Sequence, residues 1–266
     1  MDLFTHTLVV GLTKFTMLLT ILAVILLITI SACYALSVAL GHVPIVFPYI
    51  SETGNWAPES CLFSFGMNIA SFLYVVAVYL RYHELIVYRE GTPSTSITPR
   101  MNRAAWILGT ASALGLCVVA NFQVQKVRIV HYLGAFTCFV GGSVYFGIQA
   151  WFSKCMCPTV SSMRMVKLRA TLTVMSAITL TVCLVCALLA IHEFDGKDQV
   201  NWAPGDKGYT LHIVSTVAEW LVAFIFVGSI VTYIPEMTRI TVHPPKFRIL
   251  LLESVKSVSS KPTEKL

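Results

Sequence analysis

Residues 15–40 read FTMLLTILAVILLITISACYALSVAL, a run of 26 positions without one charged side chain, preceded by Lys14. As a helix rising ~1.5 Å per residue, it is long enough to cross the ~30 Å hydrocarbon core of a bilayer. It also exceeds the ~7–15 apolar residues of a secretory leader, so Ser31, Ala32 and Cys33 read as helix interior and the segment as a retained signal anchor. Five further apolar stretches follow, at residues 61–80, 104–122, 130–152, 170–191 and 209–234. The expected fold is all-α: a polytopic membrane protein whose six transmembrane helices form a bundle joined by short loops. Residues 1–14 are expected to precede the membrane domain of 15–234, and a tail of 235–266 to follow it.

Composition agrees with a bilayer protein. Of the 266 residues 56% are hydrophobic and only 12% charged, where a soluble domain carries about 25% charged residues. Six spans leave no room for a sizeable soluble domain. A nucleic-acid reader is also excluded, because the net charge of +6 is spread over many loops and no basic helix carries base-reading side chains.

The charge instead reports topology. Fifteen of the 19 Lys and Arg residues fall on the N-terminus, the second and fourth loops and the tail, alongside 6 acidic groups; the other loops carry 4 basic and 6 acidic groups. The positive-inside rule then places both termini in the cytosol. Arg81, Arg89, Arg100, Arg103, Arg164, Lys167 and Arg169 are expected to form a cytosolic rim attracted to anionic lipid headgroups. The eight cysteines offer no outer-side pair for a disulfide, and Cys183-Leu-Val-Cys186 reads as small packing residues within a span. Cys155 and Cys157 lie just below the fourth span, where S-acylation is chemically feasible. Residues 91–99, rich in Ser, Thr and Pro, read as a flexible connector, and Ile249 to Leu252 as an apolar patch in the tail.

Polar groups in hydrocarbon carry more information than their apolar neighbours. Glu219 lies ten residues into the sixth span, about 15 Å deep at ~1.5 Å per residue. His212, Ser215 and Thr216 share its face, and burial favours a protonated carboxyl that donates to His212 or a hydroxyl. Ser64, Asn68 and Ser71 form a stripe on the second span; Asn121 and Gln123 end the third and His131 opens the fourth. Similar depths suggest one outer-half pocket lined by Asn68, Asn121, His131, His212 and Glu219, recognising a lipid headgroup or a partner; the alternative, above all for the two amides, is that they simply hydrogen-bond across helices. Small residues on the third span (Gly109, Ala113, Gly115) and fourth (Gly134, Gly141, Gly142) are expected to let two backbones approach. The outer loops, with Pro48, Tyr49, Ser51, Glu52 and Gly54 in the first and residues 201–209 in the fifth, suggest ordered caps.

The residues Phe47-Pro-Tyr-Ile-Ser51, Gly54, Pro58-Glu-Ser60, Phe63, Asn68, Arg81-Tyr82, Asn121-Phe-Gln123, His131, Gly134 and Glu219-Trp220 resemble the pattern of the damage-regulated autophagy modulator (DRAM) family. The wider group also holds the transmembrane protein 150 branch. Trp202-Ala-Pro204 and Lys207-Gly-Tyr209 look most like the autophagy-modulator branch, while Ser51-Glu-Thr-Gly54 departs from its frequent Ser-Asp-Thr-Gly. The resemblance implies a multi-pass lysosomal or late endosomal membrane protein that promotes autophagy, with autophagy or trafficking proteins as partners and no cofactor or chemical activity carried over. Two other classes stay open: a lipid-modifying intramembrane enzyme, and a scramblase-like lipid or solute transporter, each using Glu219 and His212. No short spacing joins His42, His131, His192 and His212 into a metal-ligand set, and no repeat or broken helix pair marks a transporter.

Overall fold

The computed structural model describes residues 3–196 and 202–238. The tail beyond Thr238, with its Ile249–Leu252 patch, and Asn201 lie outside them. Among the described residues the chain is helical, with no strand. Helix α1 spans Leu3–Ala39, α2 Glu59–Gly91, α3 Pro99–Asn121, α4 Arg128–Cys155, α5 Met163–Glu193, α6 Tyr209–Val231 and the short α7 Ile234–Met237; a 3₁₀ turn, Ile50–Gly54, interrupts the first loop. Among the described residues six helices are long and apolar enough to cross a membrane. Antiparallel spans put the first, third and fifth loops at one end of the bundle, the odd-loop end, and the second and fourth at the other.

Local chemistry fixes several helix starts. Thr98 caps α3 by accepting the Met101 N–H at 3.2 Å, with Pro99 in the first turn where a missing N–H costs nothing. Ser162 does the same for α5 through the Met165 N–H at 3.3 Å. The second loop is shorter and tighter than its composition suggests: α2 continues to Gly91, Arg89 donates to the Ile97 carbonyl, and the Asn102 amide donates to Tyr82 O at 2.9 Å.

Each helix packs on its chain neighbours, and α1 closes the ring against α6 and α7. The main apolar core, including Leu22, Tyr74, Val78, Phe146, Phe152 and Ile230, fills the half nearer the even loops. The closest approach joins α3 and α4. A Cβ on Gly115 would stand 2.6 Å from the Cys138 nitrogen and 2.7 Å from the Gly134 oxygen, so the site takes no side chain at all. Gly141, grouped with these by sequence, is different: a Cβ there meets nothing nearer than 3.7 Å.

A buried ionic network ties the even-loop end. Arg169 donates to Glu236 at 2.8 Å, to Ser153 at 2.7 Å and to the Thr232 carbonyl at 2.7 Å. Arg81 bonds Glu84 at 2.7 Å and Gln149 at 3.0 Å, and lies 3.7 Å from Glu236. Both guanidiniums sit over the Tyr233 ring. The expectation of a rim that includes Arg81 and Arg169 is therefore corrected: both are buried between helices, because α7 brings Glu236 back under the bundle. Arg100, Arg103, Arg164 and Lys167 remain exposed.

Candidate functional site

The first loop is a wedge driven against α6. Pro48 offers its carbonyl to the Trp220 indole N–H at 2.9 Å, Tyr49 donates its hydroxyl to Ser215 at 2.7 Å, and the Ile50 N–H donates to the Glu219 carboxylate at 2.7 Å. Ser215 in turn donates to the Cys183 carbonyl at 2.8 Å, extending the chain of bonds to α5. The loop keeps its shape because Glu52 folds back to accept the Tyr49 N–H and Thr53 donates to Ile50 O, closing the 3₁₀ turn. Burial pushes the Tyr49 phenol well above its ordinary value, so it stays protonated as a donor. The Glu219 side chain is thus an acceptor for loop backbone rather than a donor to His212. The His212 ring, on the same helix face, stacks flat on Trp202 at 4.5 Å and meets the Tyr49 ring edge-on.

The fifth loop clamps this arrangement. Asp206 accepts the Ala203 N–H at 2.7 Å, and Asp195 accepts the Lys207 N–H at 3.2 Å while pairing with its ammonium at 3.1 Å. Those Lys207 contacts hold the Asp195 carboxyl below its ordinary 3.8. A depressed carboxylate favours the fold above its unfolded value and loses that contribution only as pH falls through the lowered one, so the clasp persists in mild acid.

Beside the wedge lies a cavity of about 480 Å³ between the odd-loop halves of α4, α5 and α6. Its polar end is lined by Tyr49, Glu52, Arg128, His131, His212 and Glu219. Its walls are apolar, with Phe136, Phe139 and Val140 from α4 and Leu184, Ala187 and Leu188 from α5. Phe136, Leu184 and Leu188 are exposed, so the cavity reaches the lipid-facing flank of the bundle between α4 and α5. His131 approaches the Phe122 carbonyl at 2.6 Å through Nδ1. A carbonyl only accepts, which assigns the proton to Nδ1 and leaves Nε2 an acceptor.

Of the five residues expected in one pocket, the structure brings three together: His131, His212 and Glu219 line the cavity, joined by Tyr49, Ser51 and Glu52 of the first loop. Asn68 and Asn121 lie elsewhere. Their amides pair reciprocally at 3.0 and 2.9 Å between α2 and α3, beside Cys117. Ser64 and Ser71 donate to α3 carbonyls, both at 2.6 Å, so the whole α2 stripe joins two helices. Equal depth brought these residues into one expectation, but depth carries no information about direction around the helix axis. Gly54 packs against the Phe63 ring, and Pro48 contributes backbone only. Cys155 and Cys157 are half-buried, and all eight cysteines are unpaired.

Sequence reasoning missed Arg128 and Gln125 at the cavity and, away from it, the pairing of His42 with Glu59. Arg128 and Gln125 line the cavity mouth from the short third loop and the first residue of α4, where the basic residue was counted only for topology. His42 contacts Glu59, which is fully buried at the start of α2; an acidic residue directly after Pro58 was the available signal. Among the described residues no three His, Cys, Asp or Glu side chains converge as a metal set.

Residues 14–240 match the family model described as the Frag1/DRAM/Sfk1/Cwh43P N-terminal domain. The chain is 36% identical over 213 residues to DNA damage-regulated autophagy modulator protein 2 of Rattus norvegicus, covering 79% of each chain. It is 34% identical over 210 residues to DNA damage-regulated autophagy modulator protein 1 of Homo sapiens, covering 79% of this chain and 85% of that one. The similarity to the modulator of macroautophagy TMEM150B of Danio rerio is lower, 27% over 214 residues, covering 80% of this chain and 81% of that one. No solved structure matches. A match over six helices, wedge and cavity together makes this chain a member of the Frag1/DRAM/Sfk1 family.

Proposed function

We propose that the protein is a non-enzymatic modulator of autophagy in the lysosomal or late endosomal membrane, acting by holding a lipid headgroup in the cleft between α4, α5 and α6. The termini face the cytosol and the odd-loop end faces the lumen, following the charge asymmetry of the loops. The names of the relatives at 34–36% identity support the autophagy role. One observation carries the lipid reading: the cavity has a charged and hydrogen-bonding end at the odd loops, apolar walls below it, and an edge on the bundle's lipid-facing flank. A lipid of the lumenal leaflet has the same order of parts. Exposed Arg100, Arg103, Arg164 and Lys167 at the opposite end would contact anionic lipid or the cytosolic autophagy and trafficking machinery.

Glu219→Gln tests the reading, since the glutamine carbonyl can still accept the Ile50 N–H and keep the wedge docked while the carboxyl group itself is removed from the cleft. Autophagic flux should fall in cells in which the variant replaces the native protein, with delivery to the organelle unchanged. Normal flux at normal delivery would remove the cleft from the function.

A further inference from the structure

We propose that the cleft selects an uncharged lipid alcohol, one whose polar end is a hydroxyl, a deduction that rests on the lipid reading above. His131 and His212 are the most deeply buried polar side chains lining the cleft, each 3% exposed. His131 spends Nδ1 on the Phe122 carbonyl, which leaves Nε2 an acceptor with no partner among the described residues. His212 is held by ring contacts with Trp202 and Tyr49, and neither of its ring nitrogens makes a hydrogen bond among those residues. A buried polar group left unpaired costs about 1–3 kcal/mol. Two such rings against one cavity point to an occupant that completes them.

An uncharged imidazole carries one N–H and one lone-pair nitrogen. The two rings therefore offer the cleft an acceptor each and one donor, on His212, and a hydroxyl, which donates once and accepts twice, answers that set. A headgroup ion does not. The charged residues of the cleft are already engaged: Arg128 and Glu52 each hold interactions within the protein, and Glu219 accepts the Ile50 N–H. A phosphate or an ammonium drawn out of water beside them meets no unengaged countercharge, which costs far more than burying a hydroxyl that finds its partners. A bare hydrocarbon leaves both rings unpaired. The rest of the cavity suits a lipid body: its walls are apolar, with Phe139 and Leu184 among them. The volume of about 480 Å³ lies within the ~300–1,000 Å³ of small-molecule sites, and the open flank lets longer chains remain in the bilayer.

The test compares lipids that differ only at the hydroxyl. The full-length protein, purified in detergent, is offered radiolabelled diacylglycerol, ceramide and cholesterol, each beside its O-methyl ether, together with phosphatidylcholine and phosphatidic acid, and the lipid retained through gel filtration is counted. At least one alcohol should be retained about tenfold more than either phospholipid and about tenfold more than its own ether; the skeleton with the strongest dependence on its hydroxyl names the source. His131→Phe and His212→Phe, which keep an aromatic ring in place, should each narrow the gap between alcohol and ether, and Ala187→Trp, which fills the apolar wall, should lower retention of every lipid. Ethers retained as well as their alcohols, or a phospholipid retained better than every alcohol, with Ala187→Trp still lowering retention, overturns the hydroxyl assignment and leaves the lipid cleft standing. Retention of none of the lipids, or retention unchanged by Ala187→Trp, overturns the cleft itself.

Discussion

Glu236 stands between two buried guanidiniums, 2.8 Å from Arg169 and 3.7 Å from Arg81. Arg169 does not read as buried from its place at a span's end, because its partner arrives 67 residues later on a four-residue helix; Arg81 has Glu84 three residues on, but the shared Glu236 comes 155 residues later. Removing one member of a buried pair leaves the other uncompensated, at a cost of about 3–5 kcal/mol. Glu236→Gln should therefore lower the thermal stability of the detergent-purified protein sharply, whereas Arg164→Gln on the exposed face of α5 should leave it within about 0.5 kcal/mol of the parent. Equal shifts in the two thermal unfolding curves would contradict the buried network. Glu219 teaches the same point about distance. Its face and depth follow from α6 alone, but its partner is a backbone N–H 169 positions earlier, which no periodicity along α6 encodes.

Helix existence is written in long apolar runs, and helix contacts are written only partly. Ser64, Asn68 and Ser71 announce a polar face of α2 through their spacing; that the face meets α3 follows from packing. The α3–α4 glycines were recognisable as small, yet only the packed pair separates Gly115, where any Cβ collides with backbone, from Gly141, where one fits. Gly115→Ala should destabilise by about 1–3 kcal/mol through overpacking that backbone cannot relieve. Gly141→Ala should be neutral or gain up to about 1 kcal/mol from helix propensity. Thermal unfolding of the two variants side by side decides it, and a Gly115→Ala protein as stable as its parent would mean that α3 and α4 are not in backbone contact. The cleft lay beyond sequence reach for a related reason: its mouth needs the third loop, α4, α5 and the first loop at once, and Arg128 gives no sign of facing inward until they are assembled.

At the scale of the molecule, helices α1 and α2 adhere to the rest by side-chain and backbone contacts on both flanks: α2 lies against α3, α1 against α6 and α7, and the first loop against α6. The covalent link through residues 92–98 is one seam among several. A polypeptide interrupted there yields one fragment with two spans and one with four, both even, so each can insert from the same side of the membrane. Co-expressed as separate pieces, the two fragments should find each other in the bilayer and be captured together by a tag on either one, and Tyr49→Phe combined with Ile50→Pro, which removes two of the wedge's bonds, should weaken that reunion. A chain that can be severed without falling apart owes its integrity to the circle of contacts and not to the order of translation.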